Sequence, residues 1–358
     1  MGAPAAPDDI VRTHADGGGN EREPLLVIEP LLTFLSEAGL EAPDDLTATP
    51  IGDGHSNVTF ALSTGVVLRR PPRGPLPPSA HDVLREARLL RALEATSVRA
   101  PRVLAACADL DVIGAPFYVM ELIDGEVITS TVPGALRSSI EHERIAAGLV
   151  DALVELHAVD WTALDLEGFG RPTGYLERQL RRFGGLWEHN RTREVPEVVE
   201  VGRWLADNLP PEQPATVVHG DYRLGNVMYA GSAPARLIAI FDWEMATIGD
   251  PLADVGYMLS HWRQRDDPPS RFSLQVVTEG DGFPDRRGLV ELYARRSGRP
   301  VEHLDWYIVL AVWKSVVFME GNYKRAVSGA TDDPYLKSFG EGVVELARRA
   351  LQVTREGF

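Results

Sequence analysis

The chain has 358 residues, 44% apolar and 25% charged, with a formal net charge of −16 and a pI near 5.0. That acidity excludes a surface for non-specific nucleic-acid binding, which needs clustered Lys and Arg, and the length allows one two-lobed unit or two domains with a sizeable core. A single cysteine, Cys107, excludes an intrachain disulfide and any multi-thiolate metal site, so the expected home is the reducing cytoplasm.

Residues 1–24, rich in Gly, Pro, Ala and Asp, read as a disordered tail, and they lack the basic start and apolar core of a secretory signal. Pro30 is expected to open the first helix, PLLTFLSEAGL. Between Leu46 and Pro71 the β-branched runs LTATPIG, NVTFALST and VVLRRP, broken by GDGHS and TG, predict three antiparallel strands. SAHDVLREARLLRALEAT follows, with Ser79 as N-cap and apolar residues at Val83, Leu84, Ala87, Leu90 and Leu93, which is the spacing of a helix crossing the sheet. RVLAACAD and PFYVMELI add two strands, separated by the turn-like DLDVIG and closed by Asp124 and Gly125. A small five-stranded N-lobe over residues 25–125 is therefore expected, followed by a larger, mainly helical C-lobe over 126–358.

Within that second lobe, ATVVHGD, NVMYA and ARLIAIFDWE form a β island. Helices are predicted before it in SSIEHERIAAGLVDALVELHAV, YLERQLRRFGGLWEHN and PEVVEVGRWLADNL, and after it in four more segments. One of these, WYIVLAVWKSVVFM, carries Lys314 in its middle, falls short of a bilayer span and reads as a buried helix, so no membrane partner is expected.

The island carries the chemistry. Asp221 emerges from an apolar run in His219-Gly220-Asp221, Asn226 sits on the same loop, and Asp242 ends a second apolar run, LIAIFDWE. Phosphoryl transfer needs such a set: one carboxylate to receive the acceptor hydroxyl's proton, and further oxygens to hold Mg²⁺ on the nucleotide phosphates. Asp221 is the candidate base; Asn226 and Asp242 are the candidate metal ligands. The alternative phosphate-binding motif G-x-x-x-x-G-K-[ST] is absent.

HGDYRLGN followed by FDWE and GDPLAD resembles the aminoglycoside phosphotransferase and choline kinase family over about Leu46 to Gly329. VLRRPP, PRVLAACADLDVIGAPFYVMELIDG and DWEMATIGDPLADVGYMLSHW are most similar to the kinase-like domain found fused to acyl-CoA dehydrogenases. The resemblance implies a protein-kinase-like bilobal α+β fold, and transfer of the γ-phosphate of ATP, with Mg²⁺, to a hydroxyl of a small molecule. It also implies that Arg69 grips the nucleotide phosphates and is held by Glu86; many members carry lysine there, and the choline kinase branch is similar in using arginine. By the same resemblance, Gly52, Gly54, Ser56 and Asn57 cover the phosphates, the backbone around Glu121 and Ile123 meets adenine, and His219 and Arg223 support the catalytic loop.

Asp250 and Asp254 read as structural residues at a helix start, His157 as a helix-end residue favoured by the dipole, and Trp306 and Trp313 as core. Arg171, Arg178, Arg181 and Arg182 read as a solvated helix face. The helices expected to wall the acceptor pocket mix Arg178, Arg181, Arg182, Lys314, Lys324 and Arg325 with apolar and aromatic residues. That lining suits a neutral or anionic, partly apolar alcohol, such as a hydroxylated acyl or carboxylate metabolite; an aminoglycoside or other antibiotic is the alternative acceptor. Two other classes are weighed: an inactive nucleotide-binding module, and a metal-dependent hydrolase built on His219, Asp221, Asp242, Asp250 and Asp254.

Overall fold

The β-branched runs between residues 48 and 121 form one antiparallel sheet in the computed structural model, which describes residues 9–18, 22–52, 57–74, 81–268, 276–329 and 334–358. The chain divides into two compact units, one ending at Asp124 and the other beginning at Gly125.

In the first unit the elements run β1 (Ile10–Val11), α1 (His14–Gly17), β2 (Leu26–Val27), α2 (Ile28–Glu37), β3 (Ala48–Ile51), β4 (Val58–Leu62), β5 (Val66–Arg70), α3 (Val83–Leu93), β6 (Val103–Cys107), α4 (Leu110–Ile113) and β7 (Phe117–Glu121). The five-stranded sheet has the order β3-β4-β5-β7-β6, antiparallel throughout. Period-two alternation puts Phe60 and Leu62, Ala105 and Cys107, and Phe117 and Val119 into one core with Leu31 and Leu35 of α2. Phe34 meets Phe117 edge-on at 5.0 Å. Each fully buried Leu or Phe there contributes roughly 1.5–3 kcal/mol. The helix α3 packs on β6 and β7.

Four local expectations need correction. Ser79 lies outside the described residues, and the cap of α3 is Asp82, which accepts the Arg85 N–H at 3.0 Å. The helix α2 starts at Ile28, so Pro30 sits inside the first turn, where its missing N–H costs nothing. Within the stretch read as a tail, the described residues 9–18 carry ordered elements: β1 pairs in parallel with β2, Thr13 and Asp16 cap each other reciprocally, and Asp9 pairs with Arg73. The segment DLDVIG is a helical turn, α4, ended by Gly114 at φ +78°.

The second unit runs β8 (Glu126–Val127), α5 (Ser139–His157), α6 (Tyr175–Asn190), α7 (Pro196–Asp207), β9 (Thr216–Val218), β10 (Val227–Tyr229), β11 (Leu237–Ile240), β12 (Thr247–Gly249), α8 (Leu252–His261), α9 (Arg286–Ser297), α10 (Leu304–Val327) and α11 (Pro334–Glu356). The β island consists of two small antiparallel sheets, β11-β10-β8 and β12-β9. Strands β8 and β12 are too short to read from sequence.

Helix α10 is the axis of this unit and packs against α6, α7, α8 and α11. Its indoles are core and satisfied: Trp306 Nε1 donates to Leu205 O at 2.9 Å and Trp313 Nε1 to Val198 O at 3.0 Å. Among the described residues no helix is long and apolar enough to cross a membrane. Helix α8 reaches α10 through a glycine, because a Cβ on Gly256 would lie 2.6 Å from the Tyr307 Cβ and carbonyl carbon. Gly256→Ala should therefore cost about 1–3 kcal/mol through overpacking; a urea midpoint equal to that of the parent would contradict this contact.

Candidate active site

Strand β9 delivers the buried His219 and the half-buried Gly220 into a turn. Gly220 has φ +84°, and a Cβ there would lie 2.8 Å from Met245 O, so both backbone conformation and space demand glycine. The His219 ring is 0% exposed and lies 4.8 Å from the Trp243 ring. Its Nε2 must donate to the Phe241 carbonyl at 2.8 Å, while Nδ1 accepts the Asp221 N–H at 3.3 Å. Both nitrogens are committed in one neutral tautomer, so His219 braces the loop and has no lone pair for proton transfer.

The same turn is held from α8. Asp254, 0% exposed, accepts the His219 N–H at 2.6 Å and the Gly220 N–H at 2.8 Å, and its Oδ2 takes His157 Nε2 at 3.3 Å. Burial alone would raise this carboxyl, but the hydrogen bonds from His157 and His219 offset it and hold it below the usual aspartate range. His157 in turn takes the Tyr293 hydroxyl on Nδ1 at 2.8 Å, and burial lowers its pKa. These residues correct the sequence reading. Asp254 caps a loop rather than a helix, and His157 is a neutral buried link rather than a cation at a helix end. Asp250 is structural as expected, accepting Leu252 N, Gln213 N and the Tyr307 hydroxyl at 2.9, 2.9 and 2.8 Å.

With His219, Asp250 and Asp254 so engaged, the five-residue metal cluster of the hydrolase reading is not assembled. Among the described residues no three His, Cys, Asp or Glu side chains are grouped to hold a metal.

Asp221 follows the turn, one fifth exposed. Its Oδ2 accepts Asn226 Nδ2 at 2.7 Å, and Arg223 Nε lies 3.6 Å from Oδ1. That Oδ1 is buried yet receives no hydrogen bond. Asn226 also donates to the Asp221 carbonyl at 2.8 Å; because a carbonyl only accepts, the amide orientation is fixed and Oδ1 of Asn226 is left as an acceptor. Asp242 arrives by strand pairing: Val227 faces Ile240, and the Phe241 N–H donates to Asn226 O at 2.8 Å, which sets Asp242 beside the loop. Its φ of +66° is the left-handed conformation, sparsely used outside glycine and best tolerated by Asp and Asn. Mg²⁺ commonly takes only one or two protein oxygens together with substrate phosphates, so an Asn and an Asp oxygen fit such an ion.

Sequence reasoning passed over Tyr257, on α8. Burial, and then the neighbouring Asp221 carboxylate, hold its phenol well above the usual tyrosine range, and Asp242 acts on it in the same sense. It is a protonated donor at the loop. The helical spacing from Asp254 to Tyr257 was the available signal.

In the first unit Arg69 Nε donates to Glu86 Oε2 at 3.1 Å and Nη1 to Thr59 Oγ1 at 3.4 Å. The Glu86 side chain is 2% exposed, so the guanidinium neutralises a carboxylate that burial would otherwise disfavour. The next residue, Arg70, points into the core and donates to the carbonyls of Leu25, Ile113 and Pro71. Of the expected phosphate loop, Gly52 has φ +84° and Asn57 Oδ1 lies 3.1 Å from His81 Nδ1, while Gly54 and Ser56 lie outside the described residues. Glu121 ends β7 with its N–H donated to Arg102 O at 3.0 Å, so that N–H is not offered to a base, and half-buried Ile123 follows it.

A five-stranded antiparallel sheet with one crossing helix, then a helical unit whose His-x-Asp loop meets an aspartate-ended strand, defines a phosphotransferase of the protein-kinase-like fold. Residues 47–289, more than half the chain, match the phosphotransferase enzyme family APH, and the chain belongs to that family of small-molecule kinases. It is 32% identical over 334 residues to acyl-CoA dehydrogenase family member 11 of Homo sapiens, covering 90% of this chain and 42% of that protein. It is 33% identical over 313 residues to acyl-CoA dehydrogenase family member 10 of Mus musculus, covering 85% and 29%. The chain thus spans less than half the length of these relatives. A crystal structure assigned as an aminoglycoside phosphotransferase, from Ralstonia eutropha, superposes with a TM-score of 0.78 at 28% identity, over 92% of this chain and 98% of that one.

Because an amide presents only one acceptor oxygen to three donors, Asp254→Asn should lower unfolding free energy by about 2–4 kcal/mol and reduce turnover through a displaced loop. Denaturant titration with an unshifted midpoint would rule out this bracing.

Proposed function

We propose that the protein transfers the γ-phosphate of ATP to a hydroxyl of a small, partly apolar metabolite, of the hydroxylated acyl or carboxylate type, in the cytoplasm. The observation that carries the reading is the buried, unbonded Oδ1 of Asp221, oriented by Asn226 and flanked by Arg223. A carboxylate oxygen kept without a donor suits a group that must accept a proton. In the reaction the acceptor oxygen bonds to the γ-phosphorus, the bond from that phosphorus to the β–γ bridging oxygen breaks, ADP leaves, and the hydroxyl proton passes to Asp221.

Asn226 Oδ1 and the Asp242 carboxylate would hold Mg²⁺, which when bound neutralises charge on the phosphates. Arg69, kept in place by Glu86, would contact the phosphates, with backbone near Gly52 and Asn57 covering them. The acceptor class is supported by Arg and Lys among the aromatic residues of α6 and α10, and by kinship with proteins named for acyl-CoA dehydrogenation.

Asp221→Asn should leave nucleotide affinity intact and lower kcat by about 10² to 10⁴, the range for losing a general base. Near-parental turnover would refute the assignment. Asp242→Ala should abolish transfer and the Mg²⁺ dependence of ATP binding in calorimetry; an unchanged Mg²⁺ effect would move the metal elsewhere. For the acceptor, kcat/KM is compared for hydroxy acids, their thioesters and kanamycin-like aminoglycosides under the same ATP and Mg²⁺. The acids or thioesters should lead, and efficient phosphorylation of aminoglycosides alone would overturn the proposal.

A further inference from the structure

Lys314, midway along α10, is 6% exposed, and none of the ion pairs among the described residues includes its ammonium. The contact it does make is with the Phe183 ring on α6, 5.0 Å from Nζ to the centroid. A buried ammonium without a counter-charge is costly, and burial lowers this one to about 8, with Asp254 and Asp221 drawing it upward and Arg182 downward. At neutral pH it still carries its proton.

A second donor on the same seam is also unsatisfied. Trp187 lies one turn beyond Phe183 on α6, 4% exposed, and its Nε1–H is buried with no acceptor, whereas Trp306 and Trp313 each have one. Phe318, one turn beyond Lys314, meets Phe183 edge-on at 5.1 Å and is 42% exposed. The α6–α10 seam thus presents two idle N–H donors and aromatic surface, within the electrostatic reach of Asp221.

We infer that Lys314, assisted by the Trp187 indole, binds an anionic oxygen group of the acceptor and so selects alcohols that carry a carboxylate or phosphate. The inference rests on the phosphotransferase reading of Asp221, and it adds the group that reads the far end of the acceptor. An ammonium serves as a point charge for either oxyanion, and a polyamine such as an aminoglycoside would meet repulsion there.

The test is calorimetric titration of the full chain without nucleotide, using hexanoate, hexyl phosphate and hexanamide as probes. At least one anion should bind tenfold or more tighter than the amide, a gap of about 1.4 kcal/mol. Lys314→Met should erase that preference while raising the melting temperature, since it removes an uncompensated buried charge; Lys314→Arg should retain the preference, and Trp187→Phe should reduce it several-fold. A stronger response to hexanoate assigns a carboxylate, and a stronger response to hexyl phosphate assigns a phosphate. Hexanamide binding as well as the anions, no anion binding at millimolar concentration, or anion binding unchanged in Lys314→Met overturns the inference. Because binding is read without transfer, an anion site that depends on Lys314 in a protein inactive toward every anionic alcohol would overturn only the reading on which it rests.

Discussion

The arrangement around the reactive loop depends on the Asp254 carboxylate. A turn that brings an aspartate out of a buried strand leaves its own backbone N–H groups without strand partners, and such donors are costly if unmet. Asp254 meets two of them, at His219 and Gly220, and is itself kept ionised by them and by His157. His219 then fixes the next step, because its ring takes the Asp221 N–H and ties the loop to Phe241, which also bonds Asn226. Position at Asp221 is therefore inherited from a chain of buried polar groups rather than from the loop's own stiffness.

How much of this was legible in the sequence depended on range. The five strands and the crossing helix followed from alternation and turn chemistry, since residues such as Phe60, Phe117 and Val119 are neighbours of their own pattern. Asp221, Asn226 and Asp242 were legible because they end short apolar runs. Asp254 was legible as structural but not as the brace of the loop, since its partners lie 34 and 35 residues away. His157 reads as a helix end in sequence and becomes a buried link only when Tyr293 and Asp254 close on it. The order in residues 9–18 was hidden for a similar reason: Gly and Asp lower local propensity, while β1 gains its partner from β2.

The unmet polar groups separate into kinds. Glu86, Glu320 and Asp250 are buried carboxylates with donors in place, which is the ordinary structural condition. Asp221 Oδ1 and Trp187 Nε1 are buried without a hydrogen bond, as are His142 Nε2 and Arg193 Nε elsewhere in the unit; Arg223 stands 3.6 Å from the first, and the Lys314 ammonium meets the Phe183 ring. For Asp221, Lys314 and Trp187, which the proposed acceptor would meet together, a ligand that brings a hydroxyl to one and an oxyanion to the others would supply the missing partners.

Backbone strain points to the same loop. Gly220 and Asp242 both occupy the left-handed region, one on each side of the paired strands β10 and β11. For Gly220 the requirement is steric and visible, since Met245 leaves no room for a side chain. For Asp242 nothing in size demands it; the conformation is held by the strand that precedes it and the turn Trp243–Met245 that follows. Asp is among the few non-glycine residues that tolerate that φ, so the position combines a left-handed turn with a carboxylate beside the loop, as the proposed metal ligand would need.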